Sequence, residues 1–190
     1  MKKLAFALCA GMILVACTQQ NNEAAAPLTE VRDFKQMEEH GKYLVDLMGC
    51  NDCHTGKIMT PNGPVPDTNM LLAGHPAGMP LPPIDNATAA NWVLFHMNGT
   101  AIKGPWGVSY AANITPDTTG IGLWTEEQFF RAMKHGDAKG IEGNRKLLPP
   151  MPWQNYARAS DEDLRDIFVY LKSLKPVKNI VPQPQPPVGF

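Results

Sequence analysis

The stretch Cys50-Asn51-Asp52-Cys53-His54 decides the fold of this chain. On a helix, two thiols three positions apart lie on one face, where both can react with the vinyl groups of a single porphyrin. The histidine that follows supplies a neutral imidazole, which is a common axial ligand of haem iron. The C-x-x-C-H pattern therefore predicts one haem c, bound covalently through Cys50 and Cys53 and ligated by His54.

Three other chemistries use two nearby cysteines: a thioredoxin-like redox dithiol, half of a zinc site and a plain disulfide. A redox dithiol is expected beside a βαβ pattern, and the sequence before Cys50 carries no such pattern. Structural zinc needs a second pair of ligands at suitable spacing. The other two of the four cysteines, Cys9 and Cys17, do not provide that pair.

The N-terminus predicts export from the cytoplasm. Two lysines precede an uncharged apolar run at residues 4–15. This run is shorter than the roughly 20 residues that span a bilayer, and it is typical of a secretory signal. The sequence Leu14-Val15-Ala16-Cys17 resembles the lipobox of bacterial lipoproteins, which implies cleavage after residue 16 and a lipid on Cys17. The alternative is an ordinary signal peptide with an incidental cysteine.

Composition divides the rest of the chain into three parts. Residues 17–32 are small and polar and predict a flexible tether. Residues 33–178 form the predicted cytochrome c domain, and residues 179–190 form a tail that contains four prolines. The net charge of −1 points to no strongly charged partner, and nothing suggests binding to nucleic acid. A single C-x-x-C-H motif predicts one haem and one domain.

Periodicity and capping residues predict a mostly α domain. Apolar residues at helical spacing run from Phe34 up to the haem motif. Thr125 with Gln128 begins a second helix that ends at Gly136, and Ser160 with Asp163 begins a third that ends before Pro176. Between the helices, Asn98-Gly99 predicts the turn of a small β-hairpin. We expect residues 57–86 to form a long loop around the haem edge, and His40 to be exposed to solvent.

The second axial ligand has to be chosen from ten methionines and four remaining histidines. Met151 stands between prolines, which restrict the backbone and exclude helix. A thioether is a weak ligand, so a stiff loop is expected to present it. The sequence therefore favours Met151. The alternatives left open are Met79, His75, His96 and His135.

Three further segments are Asn113-Ile114-Thr115-Pro116-Asp117, Gly120-Ile121-Gly122-Leu123-Trp124-Thr125 and Pro150-Met151-Pro152-Trp153. They resemble the haem domains of a bacterial cytochrome c family that includes the cytochrome subunits of periplasmic alcohol and gluconate dehydrogenases. The resemblance covers residues 39–176 and implies Met151 as the distal ligand. Family subunits carry several haem motifs, whereas this chain has one.

The helix order also resembles class I (monohaem) cytochromes c. That resemblance implies crossing N- and C-terminal helices, with Gly41 against Phe168 or Tyr170, and long loops wrapped around the haem. Asn113, Trp124 and Arg145 are the candidates to line the haem or to bind its propionates.

These features predict an electron-transfer protein rather than an enzyme. The expected protein is a lipid-anchored, periplasm-facing cytochrome that passes single electrons between a dehydrogenase, an oxidase or another cytochrome. It could also serve mainly as a subunit that docks on a dehydrogenase. The alternative from another class is a haem enzyme or small-ligand binder with an open or labile distal site.

Overall fold

The computed structural model describes residues 32–187. The predicted signal peptide, Cys17, nearly all of the predicted tether and the last three residues of the tail lie outside this part of the chain. Within it there are six α-helices and two small antiparallel sheets, so the prediction of a mostly helical protein holds in its broad form.

The helices are α1 (Phe34–Leu47), α2 (Cys50–His54), α3 (Asn86–Asn91), α4 (Glu126–His135), α5 (Trp153–Tyr156) and α6 (Asp161–Ser173). The strands are β1 (Lys57–Thr60), β2 (Gly63–Pro66), β3 (Leu94–Phe95), β4 (Ala101–Gly104) and β5 (Gly107–Tyr110). Short 3-10 turns occupy Thr68–Met70 and Ala138–Gly140. No helix among residues 32–187 combines the length and the apolar character needed to cross a membrane.

The predicted helix starts at Thr125 and Ser160 are confirmed. Each residue accepts a hydrogen bond from the backbone three positions on, and the side chain at that position binds back to the cap backbone. Such capping boxes satisfy N–H groups that the first helical turn leaves unpaired. The predicted end of α4 is also confirmed, since Gly136 adopts a left-handed conformation there.

Helix α1 packs against α6, and a glycine permits the close approach. A Cβ atom at Gly41 would lie 2.5 Å from the carbonyl carbon of Asp166 and 2.9 Å from Cβ of Tyr170. The predicted contact of Gly41 with Tyr170 is therefore confirmed. Phe168, the other candidate, instead packs on Phe129 with ring centroids 5.3 Å apart.

The prediction that His40 is solvated is only partly correct: its side chain is 38% exposed, and α6 places a buried carboxylate beside it. Asp166 is fully buried. Its Oδ2 atom lies 2.6 Å from Nδ1 of His40 and accepts a hydrogen bond from Nη1 of Arg32 at 2.5 Å. Burying a charged group is costly unless it is paired, so these two side chains stabilise Asp166 at the contact between the helices.

The prediction of a loop over residues 57–86 is only partly correct. Strands β1 and β2 pair as an antiparallel hairpin, with Lys57 opposite Pro66. The predicted hairpin around Asn98 is confirmed, since β3 pairs with β4. Its connection comprises residues 96–100 and is therefore longer than a two-residue turn. Within it, Oδ1 of Asn98 accepts a hydrogen bond from the N–H of Thr100. Strand β5 extends this sheet.

The described part of the tail contacts the domain. Gln185 exchanges two backbone hydrogen bonds with Val108 of β5, at 2.9 Å and 3.0 Å. Asn179 is 4% exposed, and its side chain bonds to the backbone of residues 73–77. The chain after α6 therefore returns to the body of the protein.

Candidate haem-binding site

Helix α2 carries both cysteines of the haem motif. Gly49, with a φ of 69°, separates α2 from α1 and redirects the chain at Cys50. Both thiols are free and half-buried. Burial raises the pKa of Cys50 to about 11, and burial also raises the pKa of Cys53. Redox dithiols instead lower a thiol pKa to form the thiolate, so these surroundings disfavour the thioredoxin-like alternative.

His54 presents one ring nitrogen for metal binding. Its Nδ1 atom lies 2.7 Å from the carbonyl oxygen of Ala112. A carbonyl only accepts hydrogen bonds, so Nδ1 holds the proton and Nε2 keeps its lone pair. Burial lowers the pKa of His54 and so favours the neutral ring that a metal requires. The arrangement fits an axial ligand whose second nitrogen is fixed by the backbone.

Two side chains just after the motif fix α2 in place. Nζ of Lys57 donates to the carbonyl oxygens of Asn51 at 3.2 Å and Thr55 at 2.8 Å, and also to that of Asp52. The lysine thus satisfies carbonyls at the C-terminal end of α2, where cations are stabilising. The Thr55 hydroxyl accepts a hydrogen bond from the N–H of Leu72 at 2.9 Å. Sequence reasoning missed both residues, although both directly follow the motif.

Met151 lies in a turn held by hydrogen bonds. Its N–H donates to the carbonyl of Leu148 at 3.2 Å. The carbonyl of Pro149, two residues before Met151, accepts a hydrogen bond from the Ser109 hydroxyl at 2.6 Å. The Met151 side chain is half-buried and packs against the same apolar core as Cys50. This rigid turn is compatible with a thioether ligand, and ligation by Met151 stays a prediction.

Tyr156 connects the region after Met151 to the haem motif. Its hydroxyl donates to the carbonyl of Met48 at 2.7 Å, just before α2 begins. Burial, followed by the nearby thiols of Cys50 and Cys53, raises the pKa of this phenol to about 12. Tyr156 therefore stays a neutral donor at physiological pH. No local sequence pattern indicates this contact, since the partners are 108 positions apart.

The sequence of this chain is similar to those of cytochrome subunits of several dehydrogenases. No family model matches the chain. The fructose dehydrogenase cytochrome subunit of Gluconobacter japonicus is 39% identical over 116 residues, which are 55% of this chain and 23% of that protein. The gluconate 2-dehydrogenase cytochrome c subunit of Pantoea cypripedii is 42% identical over 73 residues, 38% of this chain and 16% of that protein.

A quinone-dependent alcohol dehydrogenase cytochrome c subunit of Gluconobacter oxydans is 30% identical over 141 residues, 73% of this chain and 22% of that protein. The chain contains a cytochrome c haem domain related to those of dehydrogenase subunits. Each match spans less than a quarter of the relative's length. All three relatives are named as cytochrome subunits of dehydrogenases.

The other candidate iron ligands of the cytochrome are engaged elsewhere or exposed. The sulfur of Met79 accepts a hydrogen bond from Nδ2 of Asn98 at 3.0 Å. His75 is fully buried and bonds to the Thr100 hydroxyl at 2.8 Å. His96 bonds to Asn98 at 2.9 Å, and His135 is exposed. The bond to the Met79 sulfur disfavours that rival thioether. A hydrogen bond at Nδ1 leaves Nε2 of a histidine available for iron, as at His54, so the choice of Met151 over the histidines stays a prediction.

The three candidates for contact with the haem differ in their surroundings. Asn113 is buried, and its side chain holds the backbone of Thr115 and Val177 at 2.9 Å and 2.8 Å, so its polar atoms serve the loop. Trp124 packs against the apolar core. Arg145 is exposed and donates to the carbonyl of Lys146 at 2.9 Å. A role of these three residues at the haem stays a prediction.

Proposed function

We propose that this protein is a membrane-tethered c-type cytochrome that transfers single electrons through one haem. In this proposal Cys50 and Cys53 hold the porphyrin by thioether bonds, and His54 and Met151 bind the iron. The observation that carries the proposal is the 2.7 Å hydrogen bond from His54 Nδ1 to Ala112, because it directs a neutral Nε2 away from the backbone. In a C-x-x-C-H motif, that nitrogen is the iron ligand.

The proposed ligand set suits electron transfer better than catalysis. When bound, the haem supplies a one-electron iron couple, and the protein supplies ligands, orientation and a low-polarity environment. An imidazole and a thioether fill both axial positions, and the thioether raises the reduction potential. The half-buried side chains of Met48, Ile114 and Trp124 pack against the same apolar core as Cys50 and would exclude water.

The relatives suggest the class of redox partner. Those matched are cytochrome subunits of fructose, gluconate and alcohol dehydrogenases. We therefore propose that the electron donor is a dehydrogenase in the periplasm or at its membrane. The acceptor would be an oxidase or another cytochrome. The protein itself would catalyse no substrate conversion.

Exposing the reduced protein to carbon monoxide tests this function. If two protein side chains hold the iron, we expect a reversible one-electron reduction and no spectral change with the gas at neutral pH. The measurement is the absorption spectrum of the purified holoprotein before and after addition of carbon monoxide. Rapid formation of a carbon monoxide complex would contradict the proposal and favour a haem enzyme or ligand binder.

Membrane tethering depends on Cys17, and the change Cys17→Ser tests it. We expect the variant to appear in the soluble envelope fraction, because it lacks the site of acylation, and stable anchoring requires more than one lipid chain. The matched control is Cys9→Ser, which changes a cysteine inside the proposed signal and should leave the protein with membranes. A Cys17→Ser protein that still sediments with membranes would contradict the lipid anchor.

A further inference from the structure

A tight turn at Gly74–His75 lies directly against the proposed axial histidine. The N–H of Gly74 donates to the carbonyl of His54 at 2.7 Å, and the N–H of His75 donates to the carbonyl of Ala111 at 2.9 Å. The next carbonyl along the chain, that of Ala112, is the acceptor for His54 Nδ1. The turn therefore contacts both the histidine and residues 111–112, the segment after β5 that binds its ring.

The turn and the acceptor carbonyl are packed so closely that they must move together. Gly74 has a φ of 77°, which favours glycine. A Cβ atom there would lie 2.5 Å from the carbonyl carbon of Ala112 and 2.6 Å from its oxygen. A shift of the turn would displace the Ala112 carbonyl, and the His54 hydrogen bond would change with it.

Thr100, just before β4, bonds both to the Gly74–His75 turn and to the segment that carries the Ala112 carbonyl. Its carbonyl accepts the N–H of Ala111 at 2.8 Å, and its hydroxyl shares a hydrogen bond with Nδ1 of His75, also at 2.8 Å. Thr100 and His75 are both fully buried. Water cannot replace a lost bond at such a site without a cavity. Thr100 therefore restrains the turn through its hydroxyl and the acceptor segment at residues 111–112 through its carbonyl.

Asn179 holds the same turn from the opposite end of the sequence. Its Nδ2 donates to the carbonyl of Ala73 at 2.7 Å and to that of His75 at 2.9 Å, on either side of Gly74. Its Oδ1 accepts the N–H of Ala77 at 2.8 Å. Asn179 is itself 4% exposed, so these three bonds are protected from solvent.

We propose that Thr100 and Asn179 are positioning residues that set the reduction potential of the haem. They fix the Gly74–His75 turn, the turn fixes the Ala112 carbonyl, and that carbonyl determines the strength of the His54 Nδ1 hydrogen bond. A stronger bond makes the imidazole a better donor, which stabilises ferric iron and lowers the potential. This inference rests on the proposed function and adds residues outside the C-x-x-C-H motif and the proposed iron ligands.

The test is the reduction potential of the purified holoprotein with matched substitutions. We expect Thr100→Val and Asn179→Leu each to raise the potential, because each loosens the turn and weakens the hydrogen bond on His54. Thr100→Ser keeps the hydroxyl and should retain the wild-type potential. Thr88→Val makes the same change at an exposed residue of α3 and should also leave it unaltered.

A second readout reports the hydrogen bond itself. In the reduced protein, the NMR signal of the His54 Nδ1 proton should move upfield in Thr100→Val and stay in place in Thr100→Ser. A folded Thr100→Val protein with the wild-type potential and the wild-type proton shift would overturn the inference. Should Asn179→Leu not fold, Thr100→Val decides alone, since it exchanges only a hydroxyl for a methyl group.

These outcomes are separable from failure of the proposed function. Binding of carbon monoxide to the wild-type protein would reject the filled distal site and leave the His54 side of the haem in place. The Thr100→Val effect on the Nδ1 proton can be measured in either case. An unchanged proton with a normal electron-transfer cytochrome would reject the positioning role alone.

Discussion

Replacing both Cys50 and Cys53 with alanine is expected to abolish covalent haem in this protein. The two thiols of α2 are the proposed attachment points, and no other cysteine lies among residues 32–187. Without them the porphyrin has only axial bonds, and acid breaks these by protonating the histidine. Extraction with acidified organic solvent, followed by haem staining of the denatured protein, measures the result.

Single substitutions provide the control for the double variant. Cys50→Ala and Cys53→Ala each leave one thiol, so some covalent haem should survive extraction, whereas the double variant should have none. The His54 side chain is intact in all three, which separates attachment from ligation. Haem that stays with the denatured double variant would contradict attachment at this motif.

The helix starts could be predicted because their signals are local. Thr125 and Ser160 each meet their capping partner three residues on, and no distant residue is needed to form that contact. Gly41 was a partial signal. A glycine within the apolar stripe of α1 indicated close packing, but its partner Tyr170 had to be taken from a family resemblance.

The β1–β2 hairpin could not be predicted from residues 57–66. Pro64 and Pro66 lie within β2, and proline cannot donate to a ladder, so the pattern argues against a strand. A two-stranded ribbon tolerates them because each strand has one unpaired edge. The contact of His40 with Asp166 could not be predicted either, because the two residues are 126 positions apart.

The difference between local signals and remote contacts also applies to the candidate site. The attachment residues and His54 form a contiguous motif, so the sequence alone predicts them. The groups that hold them are remote: Asn179 bonds to the carbonyl of His75 across 104 positions, and Tyr156 bonds to that of Met48 across 108. Such contacts depend on the tertiary fold, and no spacing rule indicates them.

Substitution of Met151 by alanine should change both the spectrum and the potential. We expect loss of the weak far-red band that reports sulfur bound to ferric iron, and new binding of carbon monoxide in the reduced state. The reduction potential should fall by on the order of 0.1 V or more, because axial ligands tune haem potentials over a range of about 0.8 V and a thioether favours ferrous iron. Absorption spectra and a redox titration measure these effects.

Met79→Ala is the matched control for Met151→Ala, because Met79 is the rival thioether. Its sulfur accepts a hydrogen bond from Asn98, whereas Met151 packs against the same apolar core as Cys50. Met79→Ala should therefore keep the far-red band and the inertness to carbon monoxide. The opposite pattern, with the band lost in Met79→Ala and kept in Met151→Ala, would identify Met79 as the distal iron ligand. Loss of the band in Met151→Ala alone would make His54 and Met151 the axial pair and leave electron transfer as the function of the protein.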